Sequence, residues 1–250
     1  MAVDLQSPLI LIKQFNNLEI SKFEAEQPFK TPHSKLIHIR RITPADSDAV
    51  LEHLRKYFFR DEPLNLAVKL IEFPDSTCVE LEEYSLKSIK EGHSAMAVTP
   101  CGKIVGVCLN GLMNGKDPVE EESEECNNPK FAQILELLDY CGKEGTNAVL
   151  QKFPEAESVM FVKILSTDTE WRGMGIAREL LEYTRSIGRE QGCNLMRVDC
   201  TSYFSARAIA RIGFERAYEL NYDDYKKNGM PVFVTELPHS SFTVYVQKIR

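Results

Sequence analysis

The pattern of hydrophobic and polar positions divides the chain into strand-like and helical segments. Short apolar or alternating runs predict strands at 36–39, 93–98, 104–112, 159–165, 195–200, 214–222 and 242–249. Apolar residues at helical spacing predict four helices: one after Pro44 that Pro63 ends, one that Pro129 opens, and two at 173–191 and 203–212. In the second half, strands and helices alternate, which predicts a single α/β domain with a mixed sheet.

The ends of this pattern set the domain organisation. Residues 1–35 have no long periodic element and finish in a turn-prone stretch, so we interpret them as an N-terminal extension of a domain at 36–250. No Pro-, Gly- or Ser-rich linker divides that domain. The segment 114–128 contains six acidic and almost no apolar residues, which favours a solvated loop that would at most steer cationic ligands.

Composition excludes several classes of function. The 250 residues are 43% hydrophobic, enough for a globular core, and 37 acidic against 30 basic residues give a net charge of −7. A nucleic-acid partner is therefore not expected, because the phosphate backbone selects basic surfaces. No apolar run approaches the roughly 18 residues of a membrane span, so no membrane partner is expected, and the N-terminus lacks a signal-peptide pattern.

The cysteines and histidines predict neither disulfides nor a metal. Seven cysteines without a CxxC pair are typical of reduced thiols in a cytoplasmic protein. Five dispersed histidines form no HxxxH pair, so we expect no metal. The sequence around His93 begins like a hydrolase nucleophile elbow but lacks its final glycine. A covalent acyl-enzyme is therefore not expected.

The segment 166–177 indicates a phosphate-binding loop. It joins a buried strand to an amphipathic helix, and glycines at such a junction let an anion approach the free N–H groups of the first helical turn. A dinucleotide fingerprint fails because Arg178 stands where the third glycine is needed. A Walker loop fails because the spacing from Gly111 to Lys116 is one residue short. An ordinary strand-to-helix turn is the remaining alternative.

The loop Arg172-x-x-Gly175-x-Ala177 resembles the motif with which the GNAT superfamily of N-acetyltransferases holds the pyrophosphate of acetyl-CoA. The resemblance implies that the loop binds this cosubstrate and that the preceding strand pairs with the pantetheine arm, with a backbone N–H facing the thioester oxygen. The residues so implied are Leu165, Ser166, Thr167, Arg172, Gly173, Met174, Gly175, Ile176 and Ala177.

Three further motifs, at 57–65, 104–113 and 201–207, resemble the insect arylalkylamine N-acetyltransferases in their order and content. The likeness extends from about residue 36 to the C-terminus. It implies a GNAT fold, with a mixed, mostly antiparallel sheet splayed at the acyl-CoA site. It also implies direct acetyl transfer, in a ternary complex, to a small amine of the dopamine, tyramine, octopamine, serotonin or tryptamine class. We expect a monomer.

The resemblance assigns the chemistry to three side chains. Glu62 of the Asp-Glu-Pro-Leu motif matches the general base that deprotonates the ammonium, and Asp61 is the weaker rival. Thr201, where the family has serine, and Ser205 match two hydroxyls that assist proton transfer. By residue type alone, Glu62 would be a solvated helix end and the hydroxyls helix caps. Ile209 stands where many superfamily members have a tyrosine acid.

Aromatic residues beside these motifs are candidates for the amine pocket, although core packing would explain at least half of them. The predicted substrate contacts are Tyr57, Phe58, Pro63 and Tyr203, with Phe59 and Phe204 as neighbours. Two other functions stay open at this point. One is acylation of an aliphatic amine such as agmatine or a polyamine, and the other is acyl-CoA binding without catalysis.

Overall fold

A computed structural model of the chain describes residues 37–73, 75–115 and 126–249. The predicted N-terminal extension at 1–35 and most of the acidic segment at 114–128 lie outside the described residues. The strands are β1 His38–Arg41, β2 Ala95–Val98, β3 Ile104–Asn114, β4 Ser158–Thr167, β5 Leu195–Cys200, β6 Glu215–Asn221, β7 Lys226–Lys227, β8 Met230–Pro231 and β9 Ser241–Lys248. The helices are α1 Ser47–Tyr57, α2 Pro63–Ala67, α3 Val79–Lys90, α4 Pro129–Lys152, α5 Ile176–Glu190 and α6 Tyr203–Arg211.

The predicted strands assemble into one sheet with the order β1-β2-β3-β4-β5-β9-β6. Neighbouring strands in the described part of the chain are antiparallel except β4 and β5, which run parallel. A parallel pair needs a crossover, and α5 supplies it between these two strands. The prediction of a mixed, mostly antiparallel GNAT sheet flanked by helices is confirmed.

Helices cover both faces of the sheet, which explains why β4 is an almost continuous apolar run. On one face, Leu54 of α1, Ile89 of α3 and Leu137 of α4 belong to a single buried cluster. On the other face, Leu180 of α5 and Ile209 of α6 belong to a second cluster. Each such side chain is essentially inaccessible, and burial of that kind stabilises the fold by about 1.5–3 kcal/mol per residue.

The prediction that Pro63 ends the first helix was wrong. The helix α1 ends at Tyr57, a turn follows, and Pro63 is the first residue of the short helix α2. Proline suits that position because the first N–H groups of a helix have no intrahelical acceptor. As a result, Glu62 does not end the first helix. It is the N-cap of α2.

The start of α5 also differs from the prediction, because the helix begins at Ile176 rather than at residue 173. Gly173 and Gly175 have φ values of 80° and 84°, a left-handed conformation that interrupts the helical pattern and favours glycine. Three elements of the described chain were not predicted: α2, α3 and the short hairpin of β7 and β8.

Candidate active site

The sheet opens between β4 and β5. The two strands pair only from Val159 to Val162 of β4, opposite Leu195 to Val198 of β5. Beyond this point β4 continues to Thr167 with its other edge paired to β3, and β5 continues with its other edge paired to β9. The stretch 163–167 of β4 therefore has an edge that β5 leaves open, where an extended ligand can pair with backbone N–H and C=O groups.

The glycine loop follows directly from this open edge. Asp168 caps a single 3₁₀ turn, and Gly175 caps α5 in its left-handed conformation. A Cβ atom built on Gly173 or Gly175 would meet no atom within 4 Å, so the first turn of α5 faces open space. The free N–H groups at the start of this 15-residue helix suit an anion there. Ile176 is buried and anchors the helix, whereas Met174 is exposed.

Arg172 connects this loop to the motif that contains the predicted base. Its guanidinium donates hydrogen bonds to the Thr167 carbonyl at 3.4 Å and to the Asp61 carboxylate at 3.1 Å. Both side chains of the ion pair are about half exposed, at 53% and 52%. Asp61 is thus solvent-facing and already partnered, while its neighbour Glu62 is buried. The two adjacent carboxylates occupy environments suited to different roles.

Glu62 has the surroundings of a perturbed carboxylate. As the N-cap of α2 it accepts a hydrogen bond from the Asn65 N–H at 2.7 Å through Oε2. Its Oε1 is buried and makes no hydrogen bond of regular geometry within the described residues. Burial raises the pKa of Glu62, and hydrogen bonding by the Asn65 N–H, the Thr201 hydroxyl and the Leu64 N–H opposes the rise. The result is a buried carboxyl group in which Oε2 accepts a regular hydrogen bond and, within the described residues, Oε1 does not.

The two predicted hydroxyl residues have different surroundings. Thr201 follows β5 directly, and its hydroxyl lies close enough to Glu62 to lower the pKa of that carboxyl. Ser202 caps α6 by accepting the Ser205 N–H at 3.1 Å, as a residue of its type at a helix start predicts. The Ser205 hydroxyl donates to the Ser202 carbonyl at 2.9 Å and lies near the Cys200 thiol. The structure therefore brings Thr201 to Glu62 and places Ser205 in the cap of α6.

The predicted aromatic residues separate into buried and exposed groups. The Tyr57 hydroxyl hydrogen-bonds with Asp168, and Phe59 is fully buried in the core. Phe58 is half-buried, and Pro63 is buried at the start of α2. The hydrogen bond to Asp168 therefore occupies the Tyr57 hydroxyl, and Phe59 belongs to the core.

An exposed ring cluster lies at the start of α6. Tyr203 and Phe204 are 42% and 62% exposed, their rings are 5.6 Å apart, and the His239 ring lies 5.4 Å from that of Phe204. The cluster directly follows Thr201 and Ser202 in the chain. The exposed rings therefore lie within a few residues of Thr201, whose hydroxyl approaches Glu62.

His53 is a site-region residue that the sequence did not reveal. It occupies the apolar face of α1, and its Nε2 lies 3.2 Å from Oγ of Ser166 on the open edge of β4. Burial lowers the pKa of His53 to about 4, against the opposing effects of the Ile104 carbonyl and Asp168. The histidine is therefore neutral near pH 7. A polar residue on an apolar helix face was the only available signal.

Asp168 is the second such residue. Its side chain is fully buried and forms an ion pair with Lys103 at 2.8 Å. Burial alone would raise the pKa of Asp168, but hydrogen bonds from Lys103, the Glu170 N–H and Tyr57 outweigh that effect and lower it. The carboxylate thereby ties the glycine loop to α1 and to the start of β3.

A cavity of about 450 Å³ opens beside α2, lined by Phe59, Asn65, Leu66, Ile71 and Phe73 among others. Of the residues considered for catalysis or binding, this lining includes Phe59, a neighbour of the predicted substrate contacts, but none of those predicted contacts or catalytic residues. Within ranges 37–73, 75–115 and 126–249, no three His, Cys, Asp or Glu side chains are grouped as metal ligands. In the same ranges, no helix combines the length and apolar character needed to cross a membrane.

Comparisons with known proteins agree with this architecture. The model of the acetyltransferase (GNAT) family matches residues 49–214, which include the glycine loop, Glu62 and Thr201. Arylalkylamine N-acetyltransferase 2 from Aedes aegypti is 34% identical, with a TM-score of 0.76 over 86% of this chain and 99% of that one.

Two further similar structures are of enzymes that are named for other amines. An agmatine N-acetyltransferase in its apo form is 26% identical, with a TM-score of 0.74 over 85% of this chain and 99% of that one. A polyamine N-acetyltransferase from Drosophila melanogaster that forms N-acetylagmatine is also 26% identical, with a TM-score of 0.73 and the same coverage. The splayed sheet, the glycine loop and these matches over most of the chain lead to one conclusion: the chain belongs to the acetyltransferase (GNAT) family.

Proposed function

We propose that this GNAT acetyltransferase transfers the acetyl group of acetyl-CoA to the primary amine of an arylalkylamine, with Glu62 as the general base. The observation that carries the proposal is the Glu62 carboxylate, buried with one oxygen free, beside Thr201 at the point where β5 has left β4. That position lies where an acyl group and an amine would meet.

The open edge of β4 and the glycine loop fit acetyl-CoA. Backbone groups of Leu165, Ser166 and Thr167 would pair with the pantetheine arm as an added strand. The N–H groups of the loop at Gly173–Ala177 would bind the pyrophosphate, in the space that a side chain on either glycine would enter. Arg172 would add a positive charge at the rim, where its guanidinium is half exposed.

The transfer requires two proton movements. An amine reaches the site mainly as ammonium, so Glu62 accepts one proton, directly or through a water, before the nitrogen attacks the thioester carbon. A backbone N–H of the β4 edge stabilises the resulting oxyanion. The oxyanion then re-forms the carbonyl as the C–S bond breaks, and the second proton of the nitrogen passes to the departing thiolate. Ile209 cannot supply that proton, so Thr201 and Ser205 are the candidates to relay it.

The exposed rings support the proposed acceptor class. Tyr203 and Phe204 present aromatic faces next to Thr201, which suits a flat aryl group attached to a short amine arm. Half-buried Phe58 and buried Pro63 are the other candidate contacts. The aryl ring would pack on these side chains while its ammonium reaches Glu62.

An aliphatic acceptor is the second candidate, favoured by the likeness to the agmatine and polyamine enzymes. Such a substrate carries a second cationic group, and the net charge of −7 suits it as well as an arylalkylamine. We further propose that the enzyme is cytoplasmic, because its seven cysteines are free, and that it acts as a monomer.

One assay separates these functions. Purified protein and acetyl-CoA are incubated with dopamine, tyramine, octopamine, serotonin or tryptamine, and in parallel with agmatine or spermidine, while free CoA thiol is measured. We expect the largest kcat/KM among the arylalkylamines. A larger kcat/KM with agmatine or spermidine would refute the proposed acceptor but not acetyl transfer. Tight binding of acetyl-CoA, with no release of CoA in the presence of any of these amines, would show a non-catalytic acyl-CoA-binding protein.

A further inference from the structure

We propose that Tyr222, which the assignments above leave without a role, is a positioning residue that acts through Thr201. Its hydroxyl holds the junction between β5 and α6, and so keeps the Thr201 hydroxyl beside the Glu62 carboxylate. This inference rests on the proposed function of Glu62 and Thr201.

The geometry of the contact supports it. The Tyr222 hydroxyl donates a hydrogen bond of 2.7 Å to the Thr201 carbonyl, across 21 positions of sequence. Tyr222 is 2% exposed, and its backbone N–H donates to the Ser240 carbonyl at 3.0 Å, so hydrogen bonds hold the residue at its backbone and at its hydroxyl. A hydrogen bond between a fixed donor and the residue that follows a strand restrains the peptide there.

The surroundings place this bond within the candidate site. Burial raises the pKa of Tyr222 well above its usual value, with Glu62, Cys141 and Cys200 adding to the rise, so the phenol stays protonated and remains a donor. Thr201 in turn favours the charged form of Glu62. The three residues thus form a chain of contacts: Tyr222 fixes the position of Thr201, and Thr201 lowers the pKa of Glu62.

A purely structural role makes a different prediction. If Tyr222 only fills the core against Phe233, whose ring centroid lies 6.4 Å away, then Tyr222→Phe should change stability and leave the reaction unaltered. If it acts through Thr201, removal of its hydroxyl should displace the Thr201 hydroxyl. The pKa of Glu62 in the free enzyme should then rise.

The test is a double-mutant cycle on the full chain, with kcat, KM and the pH profile of kcat/KM for its best amine. We expect Tyr222→Phe to lower kcat about threefold to tenfold, the range for one lost hydrogen bond, and to move the acidic limb of kcat/KM to higher pH. We expect the KM for acetyl-CoA to stay within about twofold of wild type. In the background of Thr201→Val, Tyr222→Phe should have no further effect on kcat.

Two variants serve as controls. Tyr225→Phe removes a phenol hydroxyl three residues away and should leave kcat and the acidic limb unchanged. Phe233→Leu loosens the packing of the Tyr222 ring but keeps its hydroxyl, and should lower the Tm without moving the acidic limb. Additive effects of Tyr222→Phe and Thr201→Val, or an unmoved acidic limb in Tyr222→Phe, would overturn the inference. A wild-type protein that acetylates no amine would instead refute the proposed function.

Discussion

Replacement of Glu62 by glutamine tests its proposed role as a base separately from its role in the fold. The glutamine carbonyl oxygen can still accept the Asn65 N–H that Oε2 accepts at 2.7 Å, so the cap of α2 is kept. The amide then takes the place of Oε1, the oxygen without a regular hydrogen bond. The substitution therefore removes the proton acceptor and the negative charge while leaving the helix start intact.

The size of the effect follows from the chemistry of a positioned base. General-base catalysis contributes about 10²–10⁴-fold, so kcat/KM of Glu62→Gln near neutral pH should fall by that range. The loss should shrink as pH rises towards the pKa of the amine, because the free amine then forms without help. Wild type should show an acidic limb set by Glu62, and the variant should lack it.

The stability of Glu62→Gln should increase near neutral pH, in contrast to its activity. Because burial raises the pKa of Glu62 in the folded state, the protonated form is favoured there, and its stabilising effect is lost as pH rises through the folded pKa. Ionised Glu62 thus destabilises the fold above that pH, by about 1.4 kcal/mol for every pH unit between its unfolded and folded pKa values. Glu62→Gln should have a higher Tm than wild type near neutral pH and the same Tm in acid.

The assay combines CoA release over a pH range with thermal unfolding of the same preparations. Glu52→Gln, the same substitution at an exposed position of α1, is the matched control and should change neither measurement. Activity of Glu62→Gln that equals wild type at every pH would refute the assignment of the base. Asp61→Asn tests the rival carboxylate, and it should leave the acidic limb in place.

Three further predictions concern the loop, the buried histidine and the hydroxyls. Gly175→Glu should abolish acetyl-CoA binding measured by calorimetry, because it places a negative charge at the proposed anion site and a non-glycine residue at a φ of 84°. The control Gly229→Glu, at a φ of 81° in the β7–β8 hairpin, should bind acetyl-CoA normally. Burial lowers the pKa of His53 from 6.5 to about 4, so this group should cost wild type on the order of 3 kcal/mol of stability as pH falls through that interval. In denaturant titrations, His53→Gln should lose correspondingly less stability over the same pH range. Ser205→Ala should lower kcat less than Thr201→Val, since the Ser205 hydroxyl bonds to the cap of α6; equal losses in steady-state kinetics would contradict that placement.

The fold could be predicted from the sequence where the hydrophobic periodicity agreed with the residues that begin or end helices and strands. The apolar stripe of α5, the buried run of β4 and the strand β5 lie close to their predicted positions, because each is fixed by burial on one or both sides. The error at Pro63 has a simple cause. Proline stops one helix and starts another with equal ease, and only the turn at 58–61 distinguishes the two cases.

The candidate site divides in the same way. The glycine loop and Glu62 could be found because a motif marks them, and the structure adds the burial of the carboxyl group and its free oxygen. Tyr222 could not be found, since its proposed role depends on a contact to Thr201 that is distant in sequence. For His53 the one signal was a polar residue on an apolar helix face, and its contact with Ser166 is visible only in the structure. Side chains that act through another residue leave no local pattern.

The acidic balance of the chain is consistent with a phosphate-bearing ligand once the donors are identified. Nucleic acid selects proteins with basic surfaces, because its charges are many and regularly spaced. A single pyrophosphate can instead be held by backbone N–H groups at the start of a helix. Here the loop has open space beside Gly173 and Gly175, and Arg172 lies at its rim with a half-exposed guanidinium. A net charge of −7 then leaves the rest of the surface free to attract a cationic amine. In the proposed reaction, local backbone geometry would hold the anion and the overall charge would favour the cation, so an acidic chain can bind both.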